Sequence, residues 1–365
     1  MSLKKDSYSN FDKKIMRFAI DLANTNKGLT STNPSVGCVV VKNKKIISYA
    51  ATKIGGRPHA EAIALNKNKN KNFGSSLYLT LEPCTHYGKT PPCTNSIIKS
   101  KIKKVFFSIN DLDQRTKNKS KKILTEKKIL VKEGLLEKEA NKLYKNYNFI
   151  RKNNFPYIIG KIACSSNFFI LKNKKFITNE HSRNASHILR YKNQGILTSY
   201  KTINSDNPRL NCRLNSLEKF SPKRLIIDKD LKINLNSNIV KSSKKLKTFI
   251  FHNSKNLKKI KKLKFYGLKL IKHEVELNGY FDLKKLFKKI YNLGIHNILV
   301  ECGRNLTYKM LKSNLFNEFY LFKSNEKLSN KRKFSILNIK KILKNFNNKK
   351  QTNTYLDKDK LIHYY

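Results

Sequence analysis

His59, Glu61, Cys84 and Cys93 have side chains and spacings that can do chemistry together. One imidazole and two thiolates suit zinc. Three protein ligands leave a fourth tetrahedral position open, the arrangement of a catalytic rather than a structural site. A metal held in this way lowers the pKa of its bound water towards ~7. Glu61 lies two residues beyond His59 in Pro58-His59-Ala60-Glu61. Regular helix spacing does not put such a pair on one face. Both residues nevertheless fall in the first turn of an expected helix, with Pro58 at the first-turn position that proline tolerates. Glu61 is then free to carry protons from water to a ring nitrogen and a departing amine. Cys93 follows Pro91-Pro92 at the start of a second expected helix, whose dipole favours a thiolate.

An H-x-E string followed by proline-preceded cysteines resembles the signature of zinc deaminases acting on ring amino groups. Base deaminases space the cysteines as C-x-x-C. Here the intervening segment is Thr85-His86-Tyr87-Gly88-Lys89-Thr90-Pro91-Pro92. A loop between two metal ligands must pass close to the substrate, and His86 and Lys89 equip it to meet an anion.

The elements that hold these residues alternate. Residues 12–25 place Ile15, Phe18, Ala19 and Leu22 at helical spacing. Residues 38–41 and 45–49 read as strands joined by a turn, 60–65 as a helix, 76–81 as a strand, 94–100 as a helix and 105–109 as a strand. This is the pattern of an α/β layered sandwich. A polar helix is expected over residues 138–151, and Asn153-Asn154-Phe155-Pro156 interrupts it. The boundary is placed there, giving domains 1–153 and 154–365. The second half predicts strands at 157–163, 195–198, 224–228, 247–252 and 297–300, with helices at 182–191 and 283–293. No G-x-G-x-x-G occurs, so the usual Rossmann dinucleotide fingerprint is absent. The lysine- and asparagine-rich stretch from residue 323 gives no readable pattern.

Composition narrows the class. The 365 residues suit two domains. Apolar content is 39%, below the ~45–50% of ordinary globular proteins, yet apolar runs recur throughout. No run reaches the ~18 residues that span a bilayer. Lysines at the start have no apolar stretch behind them, so no signal peptide is expected and a cytoplasmic location is. Lys and Arg number 78 against 24 Asp and Glu, a net charge of +54. The lysines are scattered and interleaved with asparagine rather than with aromatics, which reads as a solvated surface and not as a nucleic-acid groove. A phosphorylated substrate would still gain from the field. The six cysteines do not form a disulfide framework, and only Cys84 and Cys93 sit close together.

Longer strings resemble the bifunctional deaminase/reductase of riboflavin biosynthesis, the RibD family. They are Asn33-Pro34-Ser35-Val36-Gly37-Cys38, Pro58-His59-Ala60-Glu61, and the segment from Glu82-Pro83-Cys84 to Cys93. Further on they include Lys161-Ile162-Ala163, Leu189-Arg190, Asp206-Asn207-Pro208-Arg209-Leu210 with Arg213, Arg224-Leu225-Ile226-Ile227-Asp228 and Val300-Glu301. The resemblance implies a cytidine-deaminase-like three-layer sandwich followed by a dihydrofolate-reductase-like mixed sheet. It implies zinc-dependent deamination of 2,5-diamino-6-(5-phosphoribosylamino)pyrimidin-4(3H)-one, then NADPH-dependent reduction of the ribosyl chain to ribityl. A homo-oligomer is compatible with the sequence. Asn33 and His86 match positions on the pyrimidine side and Lys89 the phosphate. Arg190, Leu210, Arg213 and Glu301 match substrate positions; Ala163, Phe176, Thr202, Asp206 and Gly303 match cofactor positions. Arg190 and Arg213 suit bidentate phosphate recognition, and free N–H groups of the Gly303 turn suit a cofactor phosphate.

Departures from the family pattern fall mostly in the second half. The usual S-L-D-G reads Ser165-Ser166-Asn167-Phe168, and a tryptophan is replaced by Phe176, a serine by Lys174 and a glycine by Cys302. In the first half Thr52 stands where a histidine is usual. Two other readings compete: a deaminase whose second domain no longer reduces, and a nucleic-acid base deaminase.

Overall fold

The computed structural model describes residues 8–171, 176–328 and 333–365, so Lys174 lies outside the described residues. The chain divides into two compact units, the first ending at Asn154 and the second starting at Phe155. The division has a local cause. Asn154 adopts a left-handed conformation (φ 48°) and its N–H closes on Ile150 O, ending the helix Lys145–Asn153. Phe155 precedes Pro156, which disfavours further helix.

The first unit runs α1 (Asn10–Thr25), β1 (Gly37–Lys42), β2 (Lys45–Ala51), α2 (Ala60–Lys67), β3 (Ser76–Leu79), α3 (Cys93–Lys99), β4 (Lys104–Phe107), α4 (Ser120–Glu126), β5 (Leu130–Glu133), α5 (Glu137–Leu143) and α6 (Lys145–Asn153). Its sheet has the order β2-β1-β3-β4-β5. β1 is antiparallel to both neighbours and the remaining pairs are parallel. Asn43 and Lys44 take left-handed conformations in the β1–β2 turn, as a tight hairpin of that twist requires. Cys38, Val39, Val40 and Val41 are buried in succession. Both faces of β1 are therefore covered, and the unit is a three-layer sandwich.

Two details differ from the sequence reading. The inward stripe of α1 is Ile15, Met16, Ala19, Ile20 and Ala23, with Phe18 and Leu22 only partly buried. The stretch expected as one helix is two, α5 and α6, broken at Tyr144. That ring is buried, and its hydroxyl bonds Thr80 Oγ1 (2.6 Å) and donates to Ser35 O (3.0 Å). A buried tyrosine needs such partners, a demand that helical periodicity does not reveal.

The second unit runs β6 (Tyr157–Cys164), β7 (Phe169–Leu171), α7 (Glu180–Tyr191), β8 (Gly195–Ser199), α8 (Tyr200–Asp206), β9 (Lys223–Ile227), α9 (Asn238–Lys241), β10 (Thr248–His252), α10 (Leu257–Phe265), β11 (Lys269–Lys272), α11 (Leu283–Asn292), β12 (Asn297–Val300), α12 (Arg304–Lys312), β13 (Glu318–Lys323), β14 (Lys333–Ser335), α13 (Leu337–Leu343), β15 (Lys349–Gln351) and β16 (Lys360–Tyr364). The large sheet has the order β11-β10-β9-β8-β12-β6-β13-β16-β15, while β7 and β14 pair separately. The pairings from β11 through β13 are parallel, and β16 runs antiparallel to β13 and β15. The sheet is thus mixed, and the lysine-rich end of the chain completes its edge. Leu361 and Tyr364 are the buried residues of β16. No helix among the described residues is long and apolar enough to cross a membrane.

Gly37 tests the layering. A Cβ there would lie 1.8 Å from the backbone oxygen of Ala19, so α1 seats on β1 only because this residue has no side chain. Gly37→Ala is expected to destabilise the first unit by about 1–3 kcal/mol or more, read as a lower urea midpoint. An unchanged midpoint would mean that α1 does not lie on β1 in this way.

Candidate active sites

The first site is assembled at the starts of two helices and the end of a strand segment. His59 is the N-cap of α2, and Cys93 is the first residue of α3. Pro58 precedes the cap rather than occupying the first helical position, two residues short of the expectation for it. His59 Nδ1, Cys84 Sγ and Cys93 Sγ all lie within 4.8 Å of one another. His59 Nδ1 is 3.3 Å from Cys93 Sγ and 3.7 Å from Cys84 Sγ, and the Cys93 N–H donates to Cys84 Sγ at 3.2 Å. Hydrogen bonding from Cys93 and the neighbouring His59 hold the Cys84 thiol well below the usual thiol range, against the opposing effect of burial.

Glu61 is buried, and its Oε2 has no hydrogen-bond partner. Burial pushes its carboxyl group up; the charge of His59 opposes this and that of Cys84 adds to it. Two sulfurs, an imidazole and an orphaned carboxyl oxygen in one pocket fit a divalent zinc ion: the sulfur and nitrogen atoms as its ligands, the carboxylate beside it. Glu82, before Pro83-Cys84, is committed elsewhere. Its oxygens accept from the N–H groups of Asp111, Asn118 and Ser120 and from Ser120 Oγ, which locks the loop after β3 that delivers Cys84.

The other expected residues of this unit are placed as follows. Asn33 Nδ2 donates to Gly56 O at 2.9 Å, bracing the turn that leads to His59. His86 is half-buried with Nδ1 3.1 Å from Thr116 Oγ1, and Lys89 is exposed. Thr52 is buried, and its hydroxyl accepts the Val36 N–H at 2.9 Å.

The second site is a cleft of about 1350 Å³. It opens at the carboxyl ends of β6, β8, β9 and β12, where open α/β sheets bind ligands. Ala163, Phe176, Thr202, Asp206, Leu210, Arg213, Glu301 and Gly303 all line it, as does Arg190. Arg190 is not a free anion receptor. Its Nε and Nη2 donate to Glu301 Oε1 and Oε2 at 2.7 and 2.9 Å, and Nη1 donates to Asn211 O. The expectation of bidentate phosphate binding is corrected to bidentate carboxylate binding. Burial would raise the Glu301 pKa, but Arg190 and Lys161 override it and hold the group at about 2. Arg213 is exposed and, among the described residues, its side chain bonds within its own turn to Asn211 Oδ1.

The Gly303 N–H is also engaged, donating to Thr202 Oγ1 at 3.3 Å. The rest of the α12 N-terminus, with Arg304 behind it, remains cationic in character. Phe176 is 74% exposed, with the Arg183 guanidinium 4.7 Å from its ring centre. The cleft's size, its cations and this helix start fit a phosphate-bearing dinucleotide.

Lys161 is the residue that sequence reading passed over. Its Nζ is 3.8 Å from Glu301 Oε2, and burial lowers its pKa against the pull of Glu301. The signal was strand alternation: Lys161 and Ala163 share one face of β6.

The departures are accommodated. Phe168 stands in the left-handed region (φ 62°), where glycine is at ease and another residue costs about 1–2 kcal/mol. Its ring lies between Lys323 Nζ (4.7 Å) and Lys340 Nζ (4.1 Å), contacts that offset the strain. Asn167 Oδ1 accepts from Ser165 Oγ and the Leu328 N–H, so the turn keeps its internal bonds. Cys302 is buried against Thr307 Oγ1 (3.2 Å) and is not among the positive-φ residues, so glycine is not required there.

Fold and sites together define a zinc-dependent deaminase joined to a nucleotide-dependent reductase. Residues 9–109 match the cytidine and deoxycytidylate deaminase zinc-binding region, and residues 170–324 match the RibD C-terminal domain. The riboflavin biosynthesis protein RibD of Aquifex aeolicus is 35% identical over 319 residues, covering 85% of this chain and 86% of that protein. The Escherichia coli protein of the same name is 28% identical over 325 residues, covering 85% and 87%. The RibD structure of Acinetobacter baumannii superposes with a TM-score of 0.82 at 26% identity, covering 97% of this chain and 98% of that one. The chain belongs to the RibD family, the bifunctional zinc- and NADPH-using deaminase/reductases of riboflavin biosynthesis.

The buried pair gives a pH test. The Glu301 pKa is depressed from 4.5 to about 2. Its ionised form therefore stabilises the fold fully above pH 4.5, and that contribution drains away as pH falls towards 2. Glu301→Gln is expected to lower stability by roughly 3 kcal/mol at pH 7, with the gap to wild type narrowing as unfolding is measured at successively lower pH below 4.5. A gap independent of pH would remove the Arg190–Glu301 pair as its cause.

Proposed function

We propose that the first unit deaminates 2,5-diamino-6-(5-phosphoribosylamino)pyrimidin-4(3H)-one and that the second reduces the ribosyl chain of the product to ribityl. The observation that carries the reading is the buried, unpartnered carboxyl oxygen of Glu61 beside His59, Cys84 and Cys93. Supporting the substrate, a Thermotoga maritima protein described as a diaminohydroxyphosphoribosylaminopyrimidine deaminase/5-amino-6-(5-phosphoribosylamino)uracil reductase superposes with a TM-score of 0.79 at 26% identity, covering 97% of this chain and 98% of that one.

His59, Cys84 and Cys93 would hold zinc, which when bound supplies an activated water. Glu61 moves the protons. It accepts a proton from the attacking water and delivers it to the ring nitrogen, then takes the second proton of that water and hands it to the amine, which leaves as ammonia. Asn33 and His86 orient the pyrimidine, and Lys89 meets the phosphate from the loop between the cysteines.

In the second unit Ala163, Phe176, Thr202, Asp206 and the α12 start at Gly303 would seat NADPH, which supplies the hydride. Opening the ribosyl ring to a ribityl chain also requires a proton at the ring oxygen. Lys161 Nζ holds one, and Glu301 fixes that ammonium while Arg190 fixes Glu301. Leu210 and Arg213 complete the substrate side, with Arg213 free to meet its phosphate.

Glu61→Gln keeps size and ligands but cannot shuttle protons. Ammonia release should fall by several orders of magnitude, roughly 10²–10⁴-fold from the lost proton transfer alone, with one zinc per chain retained in elemental analysis. Near wild-type ammonia release would remove Glu61 from the mechanism, and zinc unchanged by Cys84→Ala would remove the ligand set.

A further inference from the structure

We propose that Arg57 is a specificity-determining residue of the deamination site, where its guanidinium binds the substrate phosphate together with Lys89. This rests on the phosphorylated substrate proposed above. Arg57 lies two residues before His59, yet its Nη1 reaches across to the cysteine loop and donates to Thr90 Oγ1 at 2.6 Å. Thr90 is the neighbour of Lys89 in the chain. Two segments that each carry metal-ligand candidates are thus joined by a side-chain bond at the residue next to Lys89. Gly88, in the same loop, lies under the guanidinium: a Cβ added to it would be 3.5 Å from Arg57 Nη2. The absence of a side chain there keeps that face of the arginine uncovered.

The charge of Arg57 is also unspoken for. The residue is half-buried, and among the described residues it forms no ion pair. Arg115, near the same loop, differs: its Nη2 is 2.6 Å from Asp113 Oδ2, and its Nε also donates to Asp113. A half-buried guanidinium without a carboxylate is poorly compensated unless an anion arrives from outside. A planar guanidinium fork suits a phosphate dianion. The competing role is a purely structural staple, in which Arg57 matters only for holding Thr90.

The test compares Arg57→Ala, Arg57→Lys and Thr90→Val in the full zinc-loaded chain. Ammonia release is measured with the phosphorylated substrate and its dephosphorylated counterpart, and ribose 5-phosphate is used as a competitive inhibitor. Arg57→Ala should raise KM for the phosphorylated substrate about tenfold, leave kcat within about twofold, and weaken ribose 5-phosphate inhibition to a similar degree. KM for the dephosphorylated substrate should not move, Arg57→Lys should recover part of the loss, and Thr90→Val should keep the wild-type preference for phosphate. NADPH oxidation with the deaminated intermediate, at wild-type rate in all three variants, reports an intact fold. Equal KM increases for both substrates, or a Thr90→Val variant that reproduces Arg57→Ala, would overturn the proposal and leave the staple. Wild-type protein that does not distinguish the two substrates would overturn the phosphorylated-substrate reading along with it.

Discussion

A concentration of negative character in the interior of the first unit sets the terms for the rest of that unit. Cys84, Cys93 and Glu61 are gathered with His59 beneath the starts of two helices, and Glu61 is 3% exposed with an oxygen that bonds to nothing. Burying thiolates and a carboxylate together is unfavourable without a compensating cation. The surrounding structure supplies rigidity rather than that charge. Glu82 is tied down by four hydrogen bonds, Asn33 braces the approach to His59, and Tyr144 anchors the helix break behind the sheet. Zinc satisfies the electrostatics and at the same time provides the chemistry, so structure and function make the same demand.

The second unit meets its buried charge internally. Arg190 and Glu301, in α7 and just after β12, close a two-pronged pair, and Lys161 adds a second cation to the same carboxylate. The pair leaves a carboxylate ionised and an ammonium oriented at the carboxyl ends of the strands, where the cleft opens. Deep in the same unit Arg224 is buried without a carboxylate partner among the described residues. It is held by Thr248, Ser242 and the carbonyl groups of Arg209 and Leu246, and burial pushes its pKa down to about 10. Its bond to Arg209 O ties the cleft-lining loop before Leu210 to β9. The substitutions that set this chain apart from its family do not break this frame: Phe168 keeps its turn, and Cys302 fills a position that needs no glycine.

The ligand set was legible because its signals are local. Each of the three residues follows a proline, two of them at a helix start, and the strands and helices around them are strongly apolar. Pro58 was misplaced because proline immediately before a cap and proline in the first turn leave the same trace in a sequence. The helix break at Tyr144 comes from a tertiary hydrogen bond to Ser35, which helical periodicity does not record. Arg190 was read as a phosphate ligand because its partner Glu301 is 111 residues away in sequence. The edge strands β15 and β16 were hidden by lysines: at the rim of a sheet only Leu361 and Tyr364 need to face inward, and two apolar residues among many cations make no pattern.

Deamination followed by reduction on one chain can be read by mass spectrometry of the products formed from the diaminopyrimidine nucleotide by the zinc-loaded protein, with and without NADPH. Without NADPH the deaminated ribosylamino-uracil should accumulate together with ammonia, and with NADPH it should pass on to the ribityl compound. Unchanged substrate under both conditions, or a deaminated product that NADPH never carries further, would contradict the account.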